Sequence, residues 1–121
     1  MKITLCTPEI HAELTALYND YPGLRFQNVG YQYIRQEVRE ANAKPLARIE
    51  EILKEHIVGF ARFLNFYTRE SGLIDLRFEY NWGEENNTMY FTGVGYLPID
   101  HLRDGFPKDT AYYGEVTTTQ G

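Results

Sequence analysis

The residues most capable of chemistry are one cysteine and three histidines. Cys6 lies just before a predicted helix start, and a helix N-terminus lowers the pKa of a thiol and can make it a nucleophile. The arginine that phosphatase-type loops carry six residues after the cysteine is replaced by Ala12. We therefore predict that Cys6 is a small buried side chain at a strand end. A single cysteine allows no internal disulfide, which fits a reducing compartment.

Histidine supports acid–base catalysis and metal binding, but His11, His56 and His101 are far apart in the sequence. Glu13 lies two residues after His11, so the two side chains do not share a helical face. Asp100 directly precedes His101, and adjacent residues of a helical turn diverge. We predict that His101 is solvated and is not half of an acid–base pair. The sequence predicts no metal site and no cofactor.

Other motifs are weak. Ser71, the only serine, lies in a Glu-Ser-Gly turn. Gly93 and Gly95 form a Gly-x-Gly inside a predicted strand, and no helix start with a third glycine follows, so a phosphate-binding loop is not predicted. We expect these glycines to leave room for bulky side chains on the neighbouring strand.

Charge restricts the class of partner. The chain carries 12 basic and 17 acidic residues, a formal charge of −5, and the acidic excess lies in the second half. Duplex nucleic acid is not expected, because neutralising phosphates requires a basic surface. No apolar run approaches the roughly 18 residues of a membrane helix, and the N-terminus does not resemble a signal peptide. We predict a cytoplasmic protein that does not bind membranes.

The elements that must position these residues begin with a short N-terminal strand. Residues 7–9 have the features of a helix start: a hydroxyl N-cap, a proline at the first helical position and an acid in the first turn. Apolar residues then recur at helical spacing until a stop at 21–23. After a possible short strand at 24–28, two helices, or one helix kinked at Pro45, span about 31–56.

Beyond His56 the apolar period changes from helical to two, with many aromatic and β-branched residues, which favours strands. The predicted elements are strands at 58–67, 74–82 and 88–97, a helical turn at 98–105 and an edge strand at 111–117. The fold class is therefore α+β, with an antiparallel sheet of three to five strands, mainly from the C-terminal half. Two or three helices of the N-terminal half pack on one face of it. Residues 1–121 form one domain, with 115–121 as a frayed tail.

Matching apolar faces sets the register of the second hairpin. A four-residue loop, Glu84–Asn87, pairs apolar with apolar side chains, whereas a five-residue loop does not. The inner pairs are then Trp82–Met89, Tyr80–Phe91, Phe78–Gly93, Leu76–Gly95 and Ile74–Leu97. The outer pairs are Asp75–Tyr96, Arg77–Val94, Glu79–Thr92 and Asn81–Tyr90.

The outer face of this hairpin is the predicted binding surface. Tyrosine offers apolar area and a hydroxyl with little loss of entropy on ordering, so such a surface suits protein binding. The same face can also be an ordinary solvated surface in which tyrosines shield the sheet. We predict a small non-enzymatic binding protein, a regulator or inhibitor, that forms a homodimer. The predicted binding residues are Arg77, Glu79, Tyr90, Thr92 and Tyr96.

The alternative is an enzyme that binds a small molecule or an acyl cofactor between the helices and the sheet. Its candidate residues are Arg62, Arg77, Tyr90 and His101. The glycine-rich turn with which acetyltransferases bind acetyl-CoA is absent from residues 96–105, and we assign the chain to no family. A pocket enclosing several of these candidates would favour the enzyme, and a flat exposed aromatic patch would favour the binding protein.

Overall fold

The computed structural model describes residues 2–26, 34–85, 88–104 and 115–117. The helices within these ranges are α1 (Pro8–Asp20), α2 (Gln36–Ala41), α3 (Ala43–His56) and α4 (Ile99–Asp104), with a 3₁₀ turn at Pro22–Leu24. The strands are β1 (Lys2–Thr4), β2 (Ile57–Val58), β3 (Phe60–Thr68), β4 (Ile74–Glu85), β5 (Thr88–Pro98) and β6 (Glu115–Thr117).

The strands form two sheets. In the main sheet the order is β3-β4-β5, and all neighbours are antiparallel. In the second sheet the order is β2-β1-β6, with β1 antiparallel to β2 and parallel to β6. The predicted α+β fold with a C-terminal antiparallel sheet is confirmed. Of the two expectations for residues 115–117, an edge strand and a frayed end, the structure shows an edge strand, but it lies in the second sheet and is parallel to β1. The rest of the predicted tail, 118–121, lies outside the described residues.

Helix α1 begins as its sequence predicts. Thr7 is the N-cap, and its hydroxyl accepts a hydrogen bond of 3.2 Å from the amide of Ile10. Pro8 needs no hydrogen-bond partner at the first helical position because it has no N–H to donate. On the inward side Leu14 is completely buried. The α1 stripe thus becomes part of the main core.

The break between α2 and α3 lies at Asn42, and Pro45 is inside α3. A proline is tolerated in the first turn of a helix, since the amides there have no intrahelical acceptor. Of the two predicted forms, the structure has two helices, and the boundary between them lies three residues before Pro45. The predicted helix start near residue 31 lies outside the described residues, and α2 begins at Gln36.

The inner face of the main sheet, the face toward the helices, carries the core. Phe63, Phe66, Leu76 and Phe78 are completely buried there, and they pack with Leu14 of α1 and with a stripe of α3. The α3 residues of this core are Leu46, Ile49, Ile52 and Leu53. Helices packed on one face of the sheet were predicted, and the apolar contacts confirm them.

Strict alternation along β3, which the sequence suggested, is wrong. Its pairing with β4 shifts between Phe60 and Arg62 and again between Phe63 and Asn65, so Phe63 and Phe66 both pair with inner-face residues. Each shift adds a residue to one strand and changes the face of those that follow. One such irregularity is held by α3, since Glu50 accepts the Phe63 amide at 2.9 Å.

The register of the β4–β5 hairpin is a correction to the predicted one. Strand β4 continues to Glu85 and β5 begins at Thr88, so Phe78 pairs with Gly95 and Tyr80 with Gly93. The prediction was shifted by two residues. A shift of two preserves which face each side chain occupies, so matching apolar faces cannot detect it. The expectation that glycines oppose bulky side chains holds: a Cβ on Gly95 would lie 2.8 Å from the Phe78 ring.

None of the helices in the described parts of the chain is long and apolar enough to span a membrane.

Candidate docking surface

The outer face of the main sheet, the face away from the helices, is organised in rows that cross all three strands. In the observed register these rows are Arg62–Glu79–Val94, Asn65–Arg77–Tyr96 and Tyr67–Asp75–Pro98. The predicted cross-strand partners of Asp75, Arg77 and Glu79 were therefore wrong by two residues. The correction brings Arg77 directly beside Tyr96.

Arg77 lies beneath this surface, with 3% of its area exposed. Its Nη1 donates to Asn65 Oδ1 at 3.2 Å, and its guanidinium carbon is 5.0 Å from the centre of the Tyr96 ring. On another side the same carbon is 5.7 Å from the centre of the Phe26 ring. A guanidinium near an aromatic face is attracted by the ring's quadrupole, more strongly where water is excluded. Arg77 therefore acts as a buried support for Tyr96.

Polar burial continues in the next row of the outer face. Asp75 is 2% exposed, and its Oδ2 accepts a hydrogen bond of 2.7 Å from Arg69 Nε. Asn65, beside Arg77, is 1% exposed. Buried charges and amides are stable only when hydrogen-bonded or paired, so these contacts fix the positions of the side chains that make them.

Two large apolar side chains are exposed next to this buried polar cluster. Val94 is 42% exposed and Tyr96 is 37% exposed, and they point to the same face because they are two positions apart on β5. Arg62, exposed on β3, and Glu79, half-buried on β4, complete the row of Val94. We call these four residues the outer patch: Arg62, Glu79, Val94 and Tyr96.

The predicted binding residues fall into three groups. Glu79 and Tyr96 belong to the outer patch, and Arg77 lies beneath it. Thr92 pairs with Asn81 along the backbone and Tyr90 belongs to β5, but their side chains lie outside the described residues. Sequence reasoning missed Val94 as a site residue, although alternation along β5 places it on the same face as Tyr96.

Tertiary packing gives Asp100 a histidine partner that the sequence did not predict. Its Oδ1 lies 2.8 Å from Nε2 of His11, 89 residues earlier, where α1 packs against α4. A cavity of about 180 Å³ adjoins this pair. The predicted solvation of His101 holds only in part, because that side chain is half-buried and its Nδ1 is shielded from solvent.

Cys6 has the environment of a core residue. It is 7% exposed, belongs to the same apolar cluster as the inner face, and donates its amide to Leu102 of α4 at 2.7 Å. Burial raises the pKa of its thiol, which lowers the thiolate fraction at neutral pH. The prediction of a buried side chain is confirmed.

Three of the residues named for the enzyme alternative lie on different elements, and the side chain of the fourth, Tyr90, lies outside the described residues. Arg62 is exposed on β3, Arg77 is buried in the sheet, and His101 lies on α4. Among the described residues no three histidine, cysteine or carboxylate side chains come together as a group able to hold a metal ion.

Comparisons with protein-family models, with curated proteins and with solved structures found no match to this chain.

Proposed function

We propose that the outer patch is a docking surface for another protein, and that the chain acts as a small binding protein of the regulator or inhibitor type. One observation carries the proposal: Val94 and Tyr96 are exposed side by side on a sheet face whose centre is otherwise buried. Exposed apolar residues that cluster and are rimmed by polar groups are typical of interaction sites.

The support beneath Tyr96 strengthens the proposal. Tyrosine is enriched among residues that dominate binding energy, and its two side-chain torsions cost little entropy on ordering. Here the ring also rests on Arg77, which is held by Asn65. A side chain that is already ordered loses less freedom when a partner binds, so more of the contact energy contributes to affinity.

Charge gives the expected character of the partner. The formal charge of −5 favours a neutral or basic protein, because complementary potentials speed association. At the patch itself Arg62 and Glu79 present one charge of each sign. The proposed partner therefore has an apolar contact centre with polar groups at its rim.

A second copy of the chain is the simplest such partner, and we include a homodimer in the proposal. A two-fold axis through the patch would bring the exposed Val94 and Tyr96 of the two copies together, because the same surface of each copy forms such an interface. Sedimentation velocity at micromolar concentration tests this. We expect a dimer in the wild type and a mass near 14.1 kDa for Tyr96→Glu. A wild type of that mass at every concentration would remove the homodimer.

Capture from an extract of the cytoplasm of the native host tests docking on other proteins. Tyr96→Ala should lose the captured protein, because it removes the exposed ring. Tyr21→Ala is the matched control, since Tyr21 is 36% exposed and Tyr96 is 37% exposed, but Tyr21 lies at the end of α1. Capture that is equal in both variants would contradict the proposal, provided that both remain folded.

A further inference from the structure

A cavity of about 430 Å³ lies at the edge of β3, and its described lining has no residue in common with the outer patch. Its described lining consists of one cationic side chain, three aromatic rings and one hydroxyl: Arg25, Tyr18, Phe26, Tyr67 and Thr68. Small-molecule sites typically enclose about 300–1,000 Å³ and combine apolar walls with a few placed polar groups. The volume of this half-open cavity lies in that range, and its lining combines aromatic rings with a cation and a hydroxyl group.

The guanidinium of Arg25 is fixed in place. Its Nε donates to the carbonyl of Tyr18 and its Nη2 to the carbonyl of Asn19, each at 2.9 Å. It also lies over the Tyr18 ring, 4.5 Å from the ring centre. These contacts use Nε and Nη2, and within the described residues Nη1 donates no hydrogen bond, so its N–H groups face the proposed ligand. A guanidinium held in this way is ready to bind an oxyanion without further ordering.

The charge of Arg25 calls for an anion. Its hydrogen bonds within the described residues go to main-chain carbonyls at the end of α1, where the helix dipole supplies only a partial negative charge. No carboxylate of the described residues forms a salt bridge with it, although the chain is acidic overall. Within the described lining it is also the one charged side chain. The cavity therefore favours a negative ligand group.

The walls of the cavity favour a flat ligand. The rings of Phe26 and Tyr67 meet edge to face, with centres 5.3 Å apart. The hydroxyl groups of Tyr18 and Thr68 are hydrogen-bonded to each other and close another side. Aromatic rings prefer edge-to-face or offset stacked contacts with other rings, which a planar ligand can provide.

We propose that this cavity binds a small planar anion, namely an aromatic ring that carries a carboxylate or phosphate group. The oxyanion bonds to the end of the Arg25 guanidinium, and the ring packs against Phe26 and Tyr67. Carboxylates and phosphates share the planar or forked oxygen geometry that arginine recognises. The site has no residue of the outer patch in its described lining, and its test measures binding of a small molecule, so it can fail without the docking proposal failing.

NMR titration of the ¹⁵N-labelled chain tests the site with benzoate as the probe. Benzamide keeps the ring and removes the charge, acetate keeps the charge and removes the ring, and phenyl phosphate changes the anionic group. We expect saturable shifts at the amides of Arg25, Phe26, Tyr67 and Thr68 with benzoate or phenyl phosphate. Benzamide and acetate should each bind at least about tenfold more weakly, because each loses one of the two contacts. The tighter of the two anions identifies the preferred head group.

Variants separate the site from general charge effects. Arg25→Gln should weaken benzoate binding at least about tenfold, the range of one charge-assisted contact. Lys44→Gln, which removes the same unit of charge from an exposed position on α3, should leave binding unchanged. Because Arg25 also binds the end of α1, Tyr67→Leu is a second test. It leaves the hydrogen bonds of Arg25 intact, and it should weaken the binding of benzoate but not the binding of acetate.

Four results would overturn the proposal. These are no saturable shift with either anion, equal affinity for benzamide and benzoate, shifts centred away from the cavity, or equal losses in Arg25→Gln and Lys44→Gln. If Arg25→Gln does not fold, Tyr67→Leu decides the question. Unchanged affinity for benzoate in Tyr67→Leu would then contradict the proposal.

Discussion

The two faces of the main sheet differ in the forces that order them. On the inner face Phe63, Phe66 and Phe78 are buried among aliphatic residues from the helices. On the outer face Arg77 and Asp75 are buried almost as completely, but hydrogen bonds and ring contacts hold them. The inner face therefore depends on the area removed from water, and the outer face on specific pairs.

Under the proposed docking function, this difference separates the residues that stabilise the fold from those that recognise a partner. Apolar packing tolerates many arrangements of similar volume, whereas a polar pair requires particular atoms at particular distances. The polar pairs are adjacent to the exposed Val94 and Tyr96. We infer that the inner face mainly stabilises the fold and that the outer face mainly positions the outer patch.

The largest expected loss of stability comes from a substitution on the inner face. Phe78→Ala should lower the free energy of unfolding by about 3–5 kcal/mol, the usual cost of truncating a buried phenylalanine. Val94→Ala, on the same sheet but 42% exposed, should change it by less than about 0.5 kcal/mol. Chemical denaturation measures both. A loss of less than roughly 1 kcal/mol for Phe78→Ala would mean that the ring is not part of the core.

A smaller loss of stability is expected where β4 and β5 approach closely on the inner face. A methyl group at Gly95 would lie 2.8 and 2.9 Å from atoms of the Phe78 ring, which is itself buried and unable to retreat. Gly95→Ala should therefore cost about 1–3 kcal/mol, the range for overpacking. Denaturation of Gly95→Ala in the Phe78→Leu background provides the control. Leucine has no ring at that place, so the loss of stability caused by Gly95→Ala should be smaller there. An unchanged loss there would argue against the observed register.

The outer face is tested by Arg77→Met, which keeps much of the side-chain volume and removes the donor. It should cost about 1–3 kcal/mol because a polar contact of the buried Asn65 is lost. It should also make the Tyr96 ring more mobile, which side-chain NMR relaxation would detect. Unchanged Tyr96 dynamics would show that Arg77 does not support the ring.

Regular patterns made the inner face predictable from the sequence. The apolar alternation along β4 correctly assigned Leu76 and Phe78 to the inner face. The N-cap at Thr7 was likewise correct, because capping depends on neighbouring residues alone. These features are local, so a single sequence contains them.

The rest depends on contacts between distant segments. A register shift of two residues leaves the pattern of faces unchanged, so the sequence could not place Arg77 beside Tyr96. Burial of Arg77 against Phe26 joins residues about fifty positions apart, and His11 meets Asp100 across most of the chain. The Arg25 cavity was missed for the same reason, since its lining residues come from distant segments and form no local sequence motif.

A smaller, kinetic effect concerns Cys6, whose thiol belongs to the inner core. Because burial raises its pKa and limits access, native protein should react slowly with a thiol reagent at neutral pH. The rate in denaturant gives the reference for an accessible thiol. Labelling of the native protein at a comparable rate well below pH 8 would show an activated thiolate and revive a nucleophilic role.

Site-specific photo-crosslinking tests the central claim, docking through the outer patch, most directly. A photoreactive phenylalanine analogue replaces Tyr96 in one protein and Tyr21, which is equally exposed at the end of α1, in the control. Irradiation in extract from the native host should give a discrete crosslinked product from position 96 and none from position 21. A product of twice the chain mass would identify a second copy as the partner, and another mass a different protein. Equal products from both positions, or none from position 96, would contradict the account.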